Sequence, residues 1–91
     1  MQKHTKVYMQ FFDYGEQDFI PCEYCGNRAV DIHHLDSRGM GGSKNKDNIE
    51  NLIALCRAHH LKAESNQMFN QSLKILHTKK IKKKDGKQIL F

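Results

Sequence analysis

Apolar positions in the first 20 residues fall at Val7, Tyr8, Met9, Phe11, Phe12, Phe19 and Ile20. The i, i+4 pairs Val7/Phe11 and Tyr8/Phe12 predict a short helix ending near Gly15, although alternation over Val7, Met9 and Phe11 fits a strand almost as well. Pro21 then opens a tight turn, Cys22-Glu23-Tyr24-Cys25-Gly26, in which the glycine can take a positive φ. A short strand is expected over residues 29–33. Residues 37–48 contain too many turn formers for a helix or a long strand and read as a loop whose glycines let backbone approach a ligand closely. Ile49, Leu52, Ile53 and Leu55 make residues 49–56 apolar enough to pack against the first strand. Leu61, Met68, Phe69, Leu73 and Leu76 recur near helical spacing and predict one helix from about 57 to about 78. The expected class is α+β.

Composition makes this core marginal. With 91 residues, 38% of them apolar and no tryptophan, the chain forms one domain. A domain of this size buries only about 60–65% of its unfolded surface. The mean hydropathy is -0.73. A disulfide framework or a metal is therefore needed. The cysteines number three, an odd count, and Met1-Gln2-Lys3-His4-Thr5-Lys6 has no apolar leader character, which argues against disulfides. Cys22 and Cys25 form C-x2-C, and after 30 intervening residues Cys56 with His59 forms C-x2-H. Three thiolates and one imidazole complete a tetrahedral zinc site, and four protein ligands make it structural. No run approaches the roughly 18 apolar residues of a membrane span, so the expected setting is a reducing cytoplasm without membrane contact.

Charge is uneven. Seven of the 15 basic residues (Lys74, Lys79, Lys80, Lys82, Lys83, Lys84 and Lys87) lie from position 74 onward, against Asp85 alone among the ten acidic ones. Such a block attracts phosphate, with affinity that falls as salt rises, and is also common at solvated chain ends. The expected organisation is a helical extension over residues 1–20, a zinc-stapled domain over 21–78 and a lysine-rich tail over 79–91.

His33, His34, Asn51 and His60 are not used by the zinc. Their order, in Asp31-Ile32-His33-His34-Leu35, a glycine loop, then Asn51-Leu52-Ile53-Ala54-Leu55-Cys56-Arg57-Ala58-His59-His60, resembles the zinc-bearing branch of the HNH (ββα-metal, His-Me finger) nucleases over about residues 20–62. That resemblance implies a DNA endonuclease, nicking or cutting both strands. It implies His34 as general base, His33 and His60 as ligands of a catalytic divalent metal, and Asn51 as the residue orienting loop and base. It also implies a DNA-processing partner such as a phage packaging protein, in a phage or bacterial setting.

The chemistry agrees with that implication. Phosphodiester hydrolysis needs a deprotonated water and positive charge on the phosphate, which an imidazole and a divalent ion supply. Imidazole ligation suits Ni²⁺, Mn²⁺ or Zn²⁺ at least as well as Mg²⁺. One geometric condition follows: in a regular strand His33 and His34 point to opposite faces, so sharing a site requires the pleat to break at the doublet. His59 and His60 can exchange roles, and zinc is assigned to His59 because C-x2-H completes the second knuckle. Asp31 and Asp36 are candidate partners that fix an imidazole tautomer, while His4 and His77 have no partner in sequence. Arg38, Lys44, Lys46, Arg57 and Lys62 are candidate phosphate contacts, which position a protein without reading sequence. The rival reading is a non-catalytic zinc module that binds nucleic acid through its lysines.

Overall fold

The computed structural model describes residues 2–36 and 47–89, the last five as backbone only. Its elements are α1 (Lys3–Phe11), β1 (Asp31–His34), a single 3-10 turn (Ile49–Asn51), β2 (Leu52–Leu55), α2 (Arg57–Ser65) and α3 (Gln67–Ile89). This is a small α+β domain with a ββα core. β1 and β2 pair antiparallel in the register Asp31↔Leu55, Ile32↔Ala54, His33↔Ile53 and His34↔Leu52.

Directly opposed residues share a face, so this register sorts the core into two layers. Leu52 and Ala54 pack with Tyr8 of α1, joined by Ile32, Phe12 and Tyr14. Ile53 and Leu55 pack on the other face with Ala63 of α2 and Phe69 and Leu73 of α3. All four β2 residues are buried. The sheet is thus a two-stranded partition between α1 and the α2/α3 pair.

Three boundaries differ from expectation. The first helix stops at Phe11 and not near Gly15, because Asp13 takes a φ of 60°. Its N–H reaches the Gln10 carbonyl at 3.3 Å while that of Tyr14 reaches Met9 at 2.8 Å, the reciprocal closure of a Schellman motif. Aspartate tolerates this left-handed conformation better than most residues do. β1 starts two residues later than the expected 29–33 and ends one later, and Ala29 instead donates to the Ile20 carbonyl. The long helix expected over residues 57–78 is two helices. Asn66 interrupts it in extended conformation, and its Oδ1 accepts from the Phe69 N–H at 3.0 Å, capping α3. α3 then continues through the lysine-rich segment to Ile89, so no structural break falls at Lys79. Among the described residues no helix is long and apolar enough to cross a membrane.

Candidate metal centres and active site

The turn after Pro21 and the start of α2 bring Cys22, Cys25, Cys56 and His59 together, their ligand atoms within 4.8 Å of one another. Cys25 Sγ lies 3.7 Å from Cys56 Sγ, and His59 Nδ1 lies 3.3 Å from Cys56 Sγ and 3.8 Å from Cys22 Sγ. A zinc tetrahedron with ordinary bond lengths has edges of about 3.8 Å between sulfurs and about 3.6 Å between sulfur and nitrogen, so the donor set fits zinc. The spacing does not suit a disulfide, and all three cysteines are free. The turn itself is shaped by Gly26, whose φ is 84°.

Electrostatics within this group call for a cation. Burial opposes ionisation of Cys22, but the N–H groups of Cys56, Cys25 and Tyr24 and the His59 ring outweigh it and bring its pKa down to about 6. At Cys25 the Asn27 N–H favours the thiolate, yet desolvation and the neighbouring Cys22 and Cys56 sulfurs push the thiol up. Thiolates this close repel unless a metal neutralises them.

The second group forms on the α2/α3 face of the sheet from His33, His60 and Glu64. The His33 and His60 ring centroids are 5.1 Å apart. An ion about 2.0–2.1 Å from each nitrogen holds two cis imidazoles with centroids about 4.5–5.2 Å apart, so this pair also fits. Glu64 lies one helical turn beyond His60, its Oε2 3.2 Å from His60 Nε2.

Hydrogen bonds fix how both rings present themselves. His60 Nδ1 lies 2.9 Å from Asp31 Oδ2 and its Nε2 3.2 Å from Glu64 Oε2, so an ion held at Nε2 leaves the ring hydrogen on Nδ1 for Asp31. Asn70 Nδ2 donates to the Leu35 carbonyl at 2.8 Å, and a carbonyl can only accept, so the amide orientation is settled. Asn70 Oδ1 therefore accepts from His33 Nε2 at 2.9 Å, leaving the His33 lone pair on Nδ1. Burial, only partly offset by the Asn70 bond, holds the His33 imidazole below its ordinary pKa, so it stays neutral as a ligand must.

His34 occupies the opposite, α1 face. The pleat does not break: both histidines are regular residues of β1. His34 Nε2 lies 2.7 Å from Asp47 Oδ1, and its ring is 4.7 Å from that of His4 on α1. Base candidate and ligand candidate thus diverge from consecutive positions at the strand end.

Asn51 is buried in the 3-10 turn and clamps the chain there. Its Oδ1 accepts from the Asp36 N–H at 2.7 Å, its Nδ2 donates to the Asp36 carbonyl at 3.2 Å, and its own carbonyl accepts from Leu35. The carboxylate of Asp36 pairs with Lys74 Nζ at 2.7 Å, whereas Asp31 serves His60. Arg57 is exposed at the start of α2, and Lys62 sits with Nζ 4.6 Å from the Phe69 ring centroid. Arg38, Lys44 and Lys46 lie outside the described residues.

Several residues escaped the sequence reading. Glu64 was detectable from its i, i+4 spacing to His60; Asn70, Asp47 and His4 reach the site only through tertiary packing. His77 is another: it is fully buried, Nδ1 2.9 Å from Glu23 Oε1 and Nε2 2.7 Å from the Ile49 carbonyl, while Tyr8 donates to Glu23 Oε2 at 2.5 Å. This network ties the first cysteine turn to α1 and α3.

The chain is 45% identical over 40 residues, 44% of its own length, to the Uncharacterized protein YdfU of Escherichia coli (strain K12). It spans only 12% of that relative. No solved structure matches. The family model for HNH endonuclease matches residues 22–67, half of the chain and the segment that supplies both donor groups. The chain therefore belongs to the HNH endonuclease family.

Proposed function

We propose that this chain is a metal-dependent endonuclease hydrolysing DNA phosphodiester bonds, with structural zinc on Cys22, Cys25, Cys56 and His59 and one catalytic divalent ion on His33, His60 and Glu64. The observation that carries this reading is the convergence of His33 and His60 at 5.1 Å, separate from the cysteine group. Each ring has its other nitrogen engaged, by Asn70 and Asp31 respectively. A module that only binds nucleic acid has no use for a second set of oriented lone pairs.

His34 is the general base. Asp47 beside Nε2 favours the tautomer with the proton on Nε2, which leaves Nδ1 able to accept a proton from water. Asn51 holds the chain two residues beyond His34 and so keeps the base at the strand end. His33 and His34 leave β1 on opposite faces, so they do not share one pocket, and this mechanism requires the phosphate to reach both across the end of the strand. A bound Mg²⁺, Mn²⁺, Ni²⁺ or Zn²⁺ supplies positive charge to the phosphate as negative charge develops there. Arg57, Lys62 and the lysines of α3, with Arg38, Lys44 and Lys46, contact the backbone and confer little sequence preference.

Plasmid cleavage by the zinc-loaded protein, with and without added Mg²⁺, Mn²⁺ or Ni²⁺, tests this for wild type and His34→Ala in parallel. Metal-dependent nicking or linearisation that falls at least about 100-fold in the variant, with zinc content unchanged, is expected. Cleavage of equal rate in both proteins removes His34 from the mechanism. Silence in both with retained salt-sensitive DNA binding favours the non-catalytic zinc module.

A further inference from the structure

We infer that the chain carries another divalent-metal site on the α1 face of the sheet, formed by His4, His34 and Asp47 and suited to a borderline ion such as Zn²⁺, Co²⁺ or Ni²⁺. Three segments converge to make it. His4 comes from α1, His34 from the end of β1, and Asp47 from just before the 3-10 turn. Their ligand atoms lie within 4.8 Å of one another, and all three residues are half-buried. His4 lies outside the segment that matches the family, so the site belongs to this chain's N-terminal helix as much as to the family core.

The geometry passes the same test as the pair on the other face. The His4 and His34 ring centroids are 4.7 Å apart, inside the range of about 4.5–5.2 Å for two cis imidazoles on one ion. The planes are inclined at 57°, so the rings do not stack face to face. Asp47 Oδ1 lies 2.7 Å from His34 Nε2, the length of a shared proton; an ion takes that proton's place after the two atoms separate by a few tenths of an ångström. The imidazole hydrogen then moves from Nε2 to Nδ1, and the ring stays neutral. Two imidazoles and a carboxylate are a donor set that borderline divalent ions accept, with remaining positions left to water. Of the three donors, His4 also lines a neighbouring cavity of about 280 Å³, together with Thr5 and Ile32.

Occupation has a consequence for the proposed reaction. An imidazole nitrogen bound to metal leaves the other ring nitrogen carrying its hydrogen, so His34 cannot hold this ion and accept a proton from water at once. The site itself does not depend on whether the chain cleaves DNA.

Equilibrium dialysis against Co²⁺ of protein with zinc in the cysteine site separates the possibilities. Wild type is expected to take up two Co²⁺ per chain. His4→Ala, on the surface of a helix where alanine is well tolerated, and Asp47→Asn should each take up one. His33→Ala should lose the other ion and keep this one. Uptake unchanged by His4→Ala and Asp47→Asn overturns the site, as does a wild-type uptake that His33→Ala alone abolishes. One ion per chain that depends on His4 and not on His33 upholds it and counts against the His33/His60/Glu64 centre instead.

Discussion

The amide of Asn70, anchored by its donation to the Leu35 carbonyl, accepts the Nε2 hydrogen of His33 and so leaves the lone pair of that ring on Nδ1. A residue of α3 thereby sets the chemistry of a residue of β1. Asn70→Leu removes this restraint while keeping the side-chain size similar. Affinity for Mn²⁺ or Co²⁺ at the His33 site should fall about 10–100-fold, as it does when partners of ligating histidines are removed. Titration calorimetry on the zinc-loaded protein measures it. Unaltered affinity would show that β1 alone orients the ring.

The cysteine group should be needed for folding. Leu35, Ile53, Leu55 and Ala63 share one cluster with Cys22 and Cys56, so metal binding and the packing of this layer of the core are coupled. The zinc protein should unfold in a cooperative thermal transition, and Cys56→Ser is expected to abolish it, as should a strong chelator in wild type. Far-ultraviolet circular dichroism follows both. A cooperative, metal-free transition would mean that the two helical layers suffice.

Alkaline pH should expose the Tyr8–Glu23–His77 network. Burial first, then the negative charge and hydrogen bond of Glu23, raise the Tyr8 phenol well above its ordinary pKa of 10.0. A group whose folded pKa is raised contributes stability that is fully present below the unfolded value and declines as pH rises above about 10. Tyr8→Phe removes the bond to a carboxylate and should cost about 1.5–3 kcal/mol at neutral pH. It should also flatten the loss of stability above about pH 10. Urea unfolding at pH 7 and at higher pH reads both effects, and an equally steep alkaline decline in the variant would acquit Tyr8.

The lysines of α3 divide into two sets. Lys74 and Lys84 pair with Asp36 and Asp13, at 2.7 Å and 3.0 Å, and Lys80 lies over the Phe12 ring at 5.2 Å. Lys79, Lys82 and Lys83 are exposed. If the helix binds DNA phosphates, converting these three to alanine should lower the slope of log affinity against log salt by up to about 2.7, at about 0.9 for each phosphate no longer neutralised. Lys80→Ala should leave the slope nearly unchanged. Filter binding to a short duplex across a range of salt distinguishes the two sets.

How much of this was visible beforehand follows from how far each signal reaches along the chain. The pairing of Cys22 and Cys25 with Cys56 and His59 was legible because a knuckle is a local turn whose donors sit two residues apart, and thiolates have few other uses in such a pattern. The α+β class and the apolar stretches of β2 and α3 were legible because burial imposes a period on sequence. Glu64 lay within the same reach, four residues from His60. Asn66 was written in the sequence as a cap, but the apolar period running through it concealed the break. Other features have no local signature. That His33 and His34 serve opposite faces follows from a pleat that continues to the end of β1. That Asn70 orients one, while Asp47 and His4 meet the other, follows from how the helices dock on a two-stranded sheet. Sequence determined which residues could carry the chemistry, since ligand and base identities are properties of single side chains. Tertiary structure alone decided how they are grouped, because residues 29 to 37 positions apart come within hydrogen-bond distance only when both layers close on the sheet.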